Sequence, residues 1–386
     1  MTRRMLSVLG LAAPLALVIA ASPAVSTQGT LSPSTAPPLV ITAYNGGPPI
    51  PYTTPKTPWG EPDLQGVWSS DDMDGIPRPR PAAMGSRLYL NDQEYAARVK
   101  TIQQSVNNRE NNATSTFRND FARRAFRQTS QIVDPPDGQQ PAFTPAAEKR
   151  RAPRDRGTFG DGPFDTVEDF TLYDRCITRG VVGSMLRVIY GNGVRIVQSP
   201  GVVAVSVEMI HETRVIYTDG RKHINDTIRQ YLGDSRARWE GDELVVETTN
   251  LTDKTSIGGN GNGLRHSDRM MLTERFKRVA DDIVQYQVTV DDPVTYVRPF
   301  TLSFPLTPLD GGAILPYECH EGNQAIRNSL SAERAEDRAL AEDLARGLKR
   351  ARRPVQEPQG GRGRGAGPAA ATPGPGRGAD PEDANQ

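Results

Sequence analysis

Residues 235–249 read SRARWEGDELVVETT. Two short runs flank Gly241-Asp242, a dipeptide that supplies the backbone a tight turn requires. The stretch predicts a β-hairpin. The same period of two continues on both sides of it. Upstream, Val203, Val205, Val207, Met209 and His211 share one strand face, and Ala204, Ser206, Glu208 and Ile210 share the other. Arg214 to Thr218 reads as the next strand, turning at Asp219-Gly220. Downstream, strands are expected over 269–278, 282–290 and 295–306, with turns at Ala280-Asp281 and Asp292-Pro293. Strands spaced every ~10–12 residues with short turns predict a mainly β fold. The expected architecture is an antiparallel meander closed as a lipocalin-like barrel, with a sandwich as the other way to close it. No strand–helix–strand alternation is visible, which disfavours Rossmann and TIM architectures.

Outside this region the period changes. Residues 92–107 repeat Tyr95, Val99 and Ile102 at helical spacing, with Asp92 as an N-terminal anion. Residues 331–350 predict a second helix, capped by Ser331, with Leu340, Leu344 and Leu348 as a narrow apolar stripe. Both helices are expected at the periphery of one domain spanning 59–350. Residues 110–170 are rich in Arg, Pro and Gly and read as an irregular excursion around the core. The Pro/Thr/Ser-rich stretch 27–58 reads as an extended linker, and 351–386 as a disordered Gly/Pro/Arg tail.

The first residues, Met1-Thr2-Arg3-Arg4, precede an apolar run from Leu6 to Ala21 and small residues at Ala24 and Ser26. That pattern predicts a signal peptide over 1–26 and a periplasmic or secreted protein without a membrane anchor. Thr2-Arg3-Arg4-Met5-Leu6 also resembles a twin-arginine signal; the reading taken here is ordinary n-region charge. The chain carries 46 basic and 46 acidic residues. This balance gives no reason to expect a nucleic-acid partner. Only two cysteines exist, Cys176 and Cys319, and in an oxidising compartment they are expected to form one disulfide.

Chemistry must draw on few groups. The histidines are His211, His223, His266 and His320. His211 ends the apolar face of its strand and is expected to point inward. His320 follows Cys319 between Glu318 and Glu321. His223 and His266 read as exposed turn and rim residues. Two charges interrupt apolar strand faces: Glu274 among Met270, Leu272 and Phe276, and Arg298 among Tyr296, Phe300 and Leu302. A buried charge needs a partner, so Glu274 and Arg298 are expected to meet inside the barrel. The pair reads either as a structural salt bridge or as a site. In the second reading His211, His320 and Glu274 transfer protons, and Arg298, with Tyr296 and Glu321, holds an anionic substrate. No metal-binding spacing of the H-E-x-x-H or C-x-x-C kind occurs, and no metal or cofactor is expected. The Gly-rich runs 191–193 and 258–263 precede no helix, so no phosphate cradle is expected.

Several segments also carry a resemblance. They are Pro62–Trp68 with its G-x-W strand, Arg175–Gly180 (RCITRG), Glu208–Glu212 (EMIHE), Trp239–Val246, Thr248–Asn250 and Tyr317–Asn323 (YECHEGN). Together they resemble a widespread family of uncharacterised exported bacterial proteins. The G-x-W strand is similar to the first strand of calycin-type barrels. The resemblance spans about residues 58–335 and implies export and a β-rich barrel, but no activity. The function expected from the residues is an exported acid–base enzyme, hydrolase or lyase, acting on a saccharide or other small polar or anionic substrate. The alternative is a non-catalytic binder of a small apolar or aromatic ligand.

Overall fold

The computed structural model describes residues 35–43, 51–110, 121–150, 164–188, 190–259, 261, 265–309 and 311–349. The expected signal peptide and C-terminal tail lie outside the described residues.

The chain folds as a mainly β protein. Ten strands are present: β1 (Gly66–Ser69), β2 (Ile132–Asp134), β3 (Gly193–Ser199), β4 (Val202–Val207), β5 (Thr213–Tyr217), β6 (Asp234–Glu240), β7 (Glu243–Thr249), β8 (Met271–Ala280), β9 (Ile283–Asp291) and β10 (Phe300–Pro308). Strands β3 to β10 follow one another in sequence order, and β1 pairs with both β3 and β10. That double pairing closes nine strands into a barrel and removes its edges. β2 pairs with the start of β10, on the edge whose other end pairs with β1. The predicted hairpin forms as read, with Glu240 opposite Glu243 across Gly241-Asp242.

The barrel is not purely antiparallel. β5 and β6 run parallel, in register at Tyr217 and Arg236. A parallel neighbour cannot be reached through a tight turn. Residues 218–233 provide the longer return that carries the chain back to the starting end.

Strand faces alternate where water covers the outside. β4 alternates intermediate and buried positions, while almost every residue of β9 and β10 is buried. The reason is a second layer. The Gln285 side chain accepts hydrogen bonds from the Thr42 and Ala43 backbone N–H groups, and Gln287 accepts one from Val40. Part of the stretch expected as a free linker is therefore fastened to the barrel wall. Gln128, fully buried in the excursion, donates to the Ser303 carbonyl. β2 pairs with β10 beside it, so residues 128–134 lie along the same wall.

On β1, next to β10, Trp68 is buried. Its indole N–H donates to the Leu64 carbonyl at 3.1 Å, and the Arg278 guanidinium lies 5.6 Å from its ring centroid. Gly66 has φ 153°, and a Cβ there would stand 2.9 Å from the Trp68 ring, so the bend admits only glycine.

Among the described residues four α-helices occur rather than two. α1 (Asp92–Glu110) starts where predicted; the Asn91 side chain and Glu94 bond each other's backbone N–H. α2 (Pro145–Arg150) and α3 (Val181–Met185) are short. α4 (Ala325–Ala345) begins six positions before the expected Ser331 cap. The turn at Gly322-Asn323 starts it: the Asn323 side chain accepts the Ala325 N–H. Leu344 and Leu348 of its predicted stripe are exposed.

Candidate functional site

Glu274 points into the barrel, as its alternation required, and is fully buried. Its partner is Arg214, not Arg298. Arg214 forms a two-pronged pair with it: Nη2 donates to Oε1 at 2.8 Å, and Nη1 donates to Oε2. Tyr286 donates its hydroxyl to Glu274 Oε1 at 3.0 Å. The hydroxyls of Ser235 and Thr248, bonded to each other at 2.9 Å, lie beside Arg214 Nη1. Burial penalises the Arg214 cation, but the Glu274 charge and hydrogen bonds outweigh it and hold its pKa above the ordinary value. Burial, reinforced by the Glu274 charge, drives the Tyr286 hydroxyl well above its usual range. β5 and β8 are three ladders apart. The pair therefore crosses the interior, which is possible only because the sheet closes. Phe276, Tyr286 and Phe304 fill the space around it with ring centroids about 5 Å apart.

The other expected site residues lie elsewhere. Arg298 is exposed in the bend before β10, with Nη2 3.9 Å from the Asp137 carboxylate. The strand expected from 295 begins at Phe300, because Asp292 gathers the Val294 and Thr295 N–H groups into a turn and Pro299 follows. Tyr296 is buried, packed on Phe143 and Phe300. His211 is exposed. β4 stops at Val207, and Ile210 (φ 67°) and His211 (φ 45°) reverse the chain, so the extrapolated face no longer applies. Its Nδ1–H donates to the Tyr317 carbonyl at 2.8 Å. His320 and Glu321 are exposed. The structure thus brings none of His211, His320, Arg298 and Glu321 to Glu274. His223, half-buried, bonds Asp234 at 2.7 Å. His266, expected at an exposed rim, is buried: Nδ1–H donates to the Ser267 carbonyl and Nε2 accepts from Thr255.

A different polar site forms where residues 164–188, 250–259, 265–270 and 311–323 cap the barrel. Cys176 and Cys319 are bonded, as expected. They tie the RCITRG segment to the YECHEGN segment, and Asn323 Nδ2 donates to the Asp174 carbonyl nearby. Three residues after Cys176, Arg179 turns inward and is 2% exposed. No carboxylate pairs with it among the described residues. Nη2 donates to the Leu186 carbonyl at 2.8 Å and Nε to the Gly259 carbonyl. Nη1 is buried and has no partner. Burial lowers the Arg179 pKa to about 10, so the group is still a cation at neutral pH.

Gly258 and Gly259 make this geometry possible. A Cβ at Gly183 would meet the Gly258 carbonyl at 2.7 Å, so α3 approaches the loop this closely only with glycine at 183. Arg179 borders a cavity of about 10 Å³ with Thr171, Tyr173, Lys254 and Arg265. That volume holds about one water-sized atom. Lys254, on its lining, is exposed. Tyr173 packs with Tyr190 and Tyr317 at this end, and burial, with the Tyr317 hydrogen bond, raises its hydroxyl pKa.

Thr178 links this cavity to the barrel. It borders the cavity and donates to Glu212 Oε2 at 2.6 Å. Glu212 borders a second cavity of about 20 Å³ together with Arg214 and Ser184, whose hydroxyl is buried without a partner. Burial raises the Glu212 pKa. Sequence reasoning singled out RCITRG without assigning Arg179 a role. The usable signal was an arginine inside a Cys-anchored stretch whose one acid, Asp174, is occupied locally by Thr171. No protein-family description, curated protein or solved structure matches the chain.

Proposed function

We propose that this is an exported protein that binds the anionic group of a small polar ligand at the capped end of its barrel. The observation that carries the reading is Arg179: a buried cation with no carboxylate and with Nη1 unpartnered. Burying an incompletely paired charge costs several kcal/mol. Such a cost is offset when a ligand supplies the missing acceptor. The signal-like N-terminus and the Cys176–Cys319 bond support export. Packing around Tyr286 leaves the barrel interior to side chains, which favours a polar ligand at the cap over an apolar one inside.

The test is thermal unfolding of the full oxidised chain in phosphate, sulfate and acetate at matched ionic strength. At least one anion should raise the Tm of the wild type and leave that of Arg179→Met unchanged. Equal shifts in both proteins would overturn the reading.

A second reading keeps acid–base chemistry at the same place. Glu212 favours it: a half-buried carboxyl with a raised pKa, one hydrogen bond from the Arg179 cavity. Glu212→Gln should then abolish turnover in a panel of glycosides and esters while anion binding persists. Turnover retained in that variant would remove the enzymatic reading and leave the binding one.

A further inference from the structure

The Cys176–Cys319 bond joins an exposed strap to strained backbone. None of residues 311–323, which form the strap, is buried. Single hydrogen bonds link it to the rest of the chain. The Leu315 N–H donates to Glu208 Oε1 at 3.1 Å, His211 donates to the Tyr317 carbonyl, and Asn323 Nδ2 donates to the Asp174 carbonyl. α4 follows directly, and Leu330 is its one buried residue.

Among the described residues four non-glycine residues have positive φ: Cys176 (57°), Ile210 (67°), His211 (45°) and Asn250 (59°). Asparagine tolerates the left-handed region, whereas a β-branched isoleucine is a clear outlier there. The first three all meet the strap. Cys176 is bonded to Cys319, His211 bonds Tyr317, and Ile210 belongs to the apolar cluster against which Tyr317 and Cys319 pack. Such residues persist at positive φ only where surrounding contacts hold them. The strap supplies contacts to all three, so the closed strap carries their strain and its release relieves it.

We infer that this disulfide is a redox latch: reduction by a dithiol releases residues 311–323 and α4 from a barrel that stays folded. The two sulfurs differ in access. Cys176 is 7% exposed, while Cys319 is only half-buried, on the strap. A thiolate of the dithiol attacks Cys319 Sγ, and Cys176 leaves as a thiolate and takes up a proton. The second thiol of the reductant then attacks the reductant's own sulfur in the mixed disulfide. Cys319 is released as a thiol, and the dithiol ends as its disulfide. Two electrons and two protons thus pass to the cysteine pair. The barrel does not need the bond to close: its ring is made by strand pairing, and neither cysteine lies on a strand. Release does reach the cap, because Tyr173, which lines the Arg179 cavity, loses its hydrogen bond with Tyr317. The latch works whether or not the cap binds an anion.

Hydrogen exchange read by mass spectrometry on the full chain tests it. The chain is compared oxidised and after dithiothreitol at neutral pH without denaturant, with alkylation to count thiols. Dithiothreitol should free both cysteines in the native chain. Peptides covering 207–212 and 311–345 should then exchange about tenfold or more faster, while β6 to β9 keep their protection. Reoxidation should restore the first pattern. The double variant Cys176→Ser/Cys319→Ser should show the open pattern without reductant, and reduction of the wild type keeps the test decisive if that variant fails to fold. A bond that yields only in denaturant would overturn the latch. So would exchange over 311–345 that reduction leaves unchanged, or protection in β6 to β9 lost together with the strap.

Discussion

Arg214 and Arg179 are both almost wholly buried, 8% and 2% exposed, yet they are provided for in opposite ways. In the barrel interior, Arg214 meets a carboxylate with two N–H groups, and Oε1 of that carboxylate also accepts from Tyr286. In the cap, Arg179 has two backbone carbonyls, a cavity and an unpartnered Nη1. A charge whose partners are complete is consumed by the fold. A charge whose partners are incomplete remains available to something that arrives. The residue predicted to be functional, Glu274, belongs to the first kind.

The largest effect should come from breaking the complete pair. Glu274→Gln leaves Arg214 buried beside a neutral group and should cost about 3–5 kcal/mol in urea unfolding. The double variant Arg214→Leu/Glu274→Leu should return close to wild type, because the uncompensated charge is gone. A double variant as unstable as the single one would mean that the pair does more than satisfy itself.

Next is the strap that holds the cap. Cys319→Ser opens a loop of 143 residues and should cost about 2–4 kcal/mol. Mass spectrometry after alkylation without reductant should find both cysteines blocked in the wild-type chain. Labelled thiols there would remove the latch from the description of the cap.

Arg179→Met sharpens the contrast most directly. It strands two carbonyls but no carboxylate, so its cost should stay below about 2 kcal/mol. A loss of 3–5 kcal/mol, equal to that of Glu274→Gln, would make Arg179 a structural residue and end the distinction.

A smaller effect is tied to pH. Burial depresses the His266 pKa in the folded chain, so the unfolded chain takes up the proton first. The stability His266 contributes is full above its unfolded pKa of about 6.5 and is lost as pH falls through the folded value. For Asp292, burial opposes ionisation, but hydrogen bonds from Ser267 and Thr295 outweigh it and lower the pKa. Its contribution is likewise lost toward acid, below the histidine window. His266→Gln should flatten the stability profile just below pH about 6.5 and leave the more acidic slope. An unchanged profile would show that His266 does not govern it.

The smallest effect should be at the exposed histidine. His211→Ala removes one hydrogen bond to the Tyr317 carbonyl and should change stability by about 0.5 kcal/mol or less. Loss of anion binding in that variant would move the site toward the strap and away from Arg179.

What the sequence by itself determined is whatever depends on neighbours along the chain. Gly241-Asp242 sets its hairpin because the turn needs only its own two residues and their flanks. Glu274 faces inward because alternation is a property of one strand. Two cysteines in a chain read as exported leave one possible bridge. The helix at Asp92–Glu110 follows from its own period and cap. Tertiary structure decided everything that joins distant segments. Arg214 became the partner of Glu274 because closure through β1 and β10 placed β5 across the interior from β8. His211 left its expected face because two positive φ values reversed the chain, and Arg298 because its strand begins only after Pro299. Arg179 acquired its place only when the disulfide, α3 and the glycine loop met around it. Periodicity tells which side of a strand a residue takes. It holds no information on what waits across a closed barrel, because that depends on closure, register and the course of the loops.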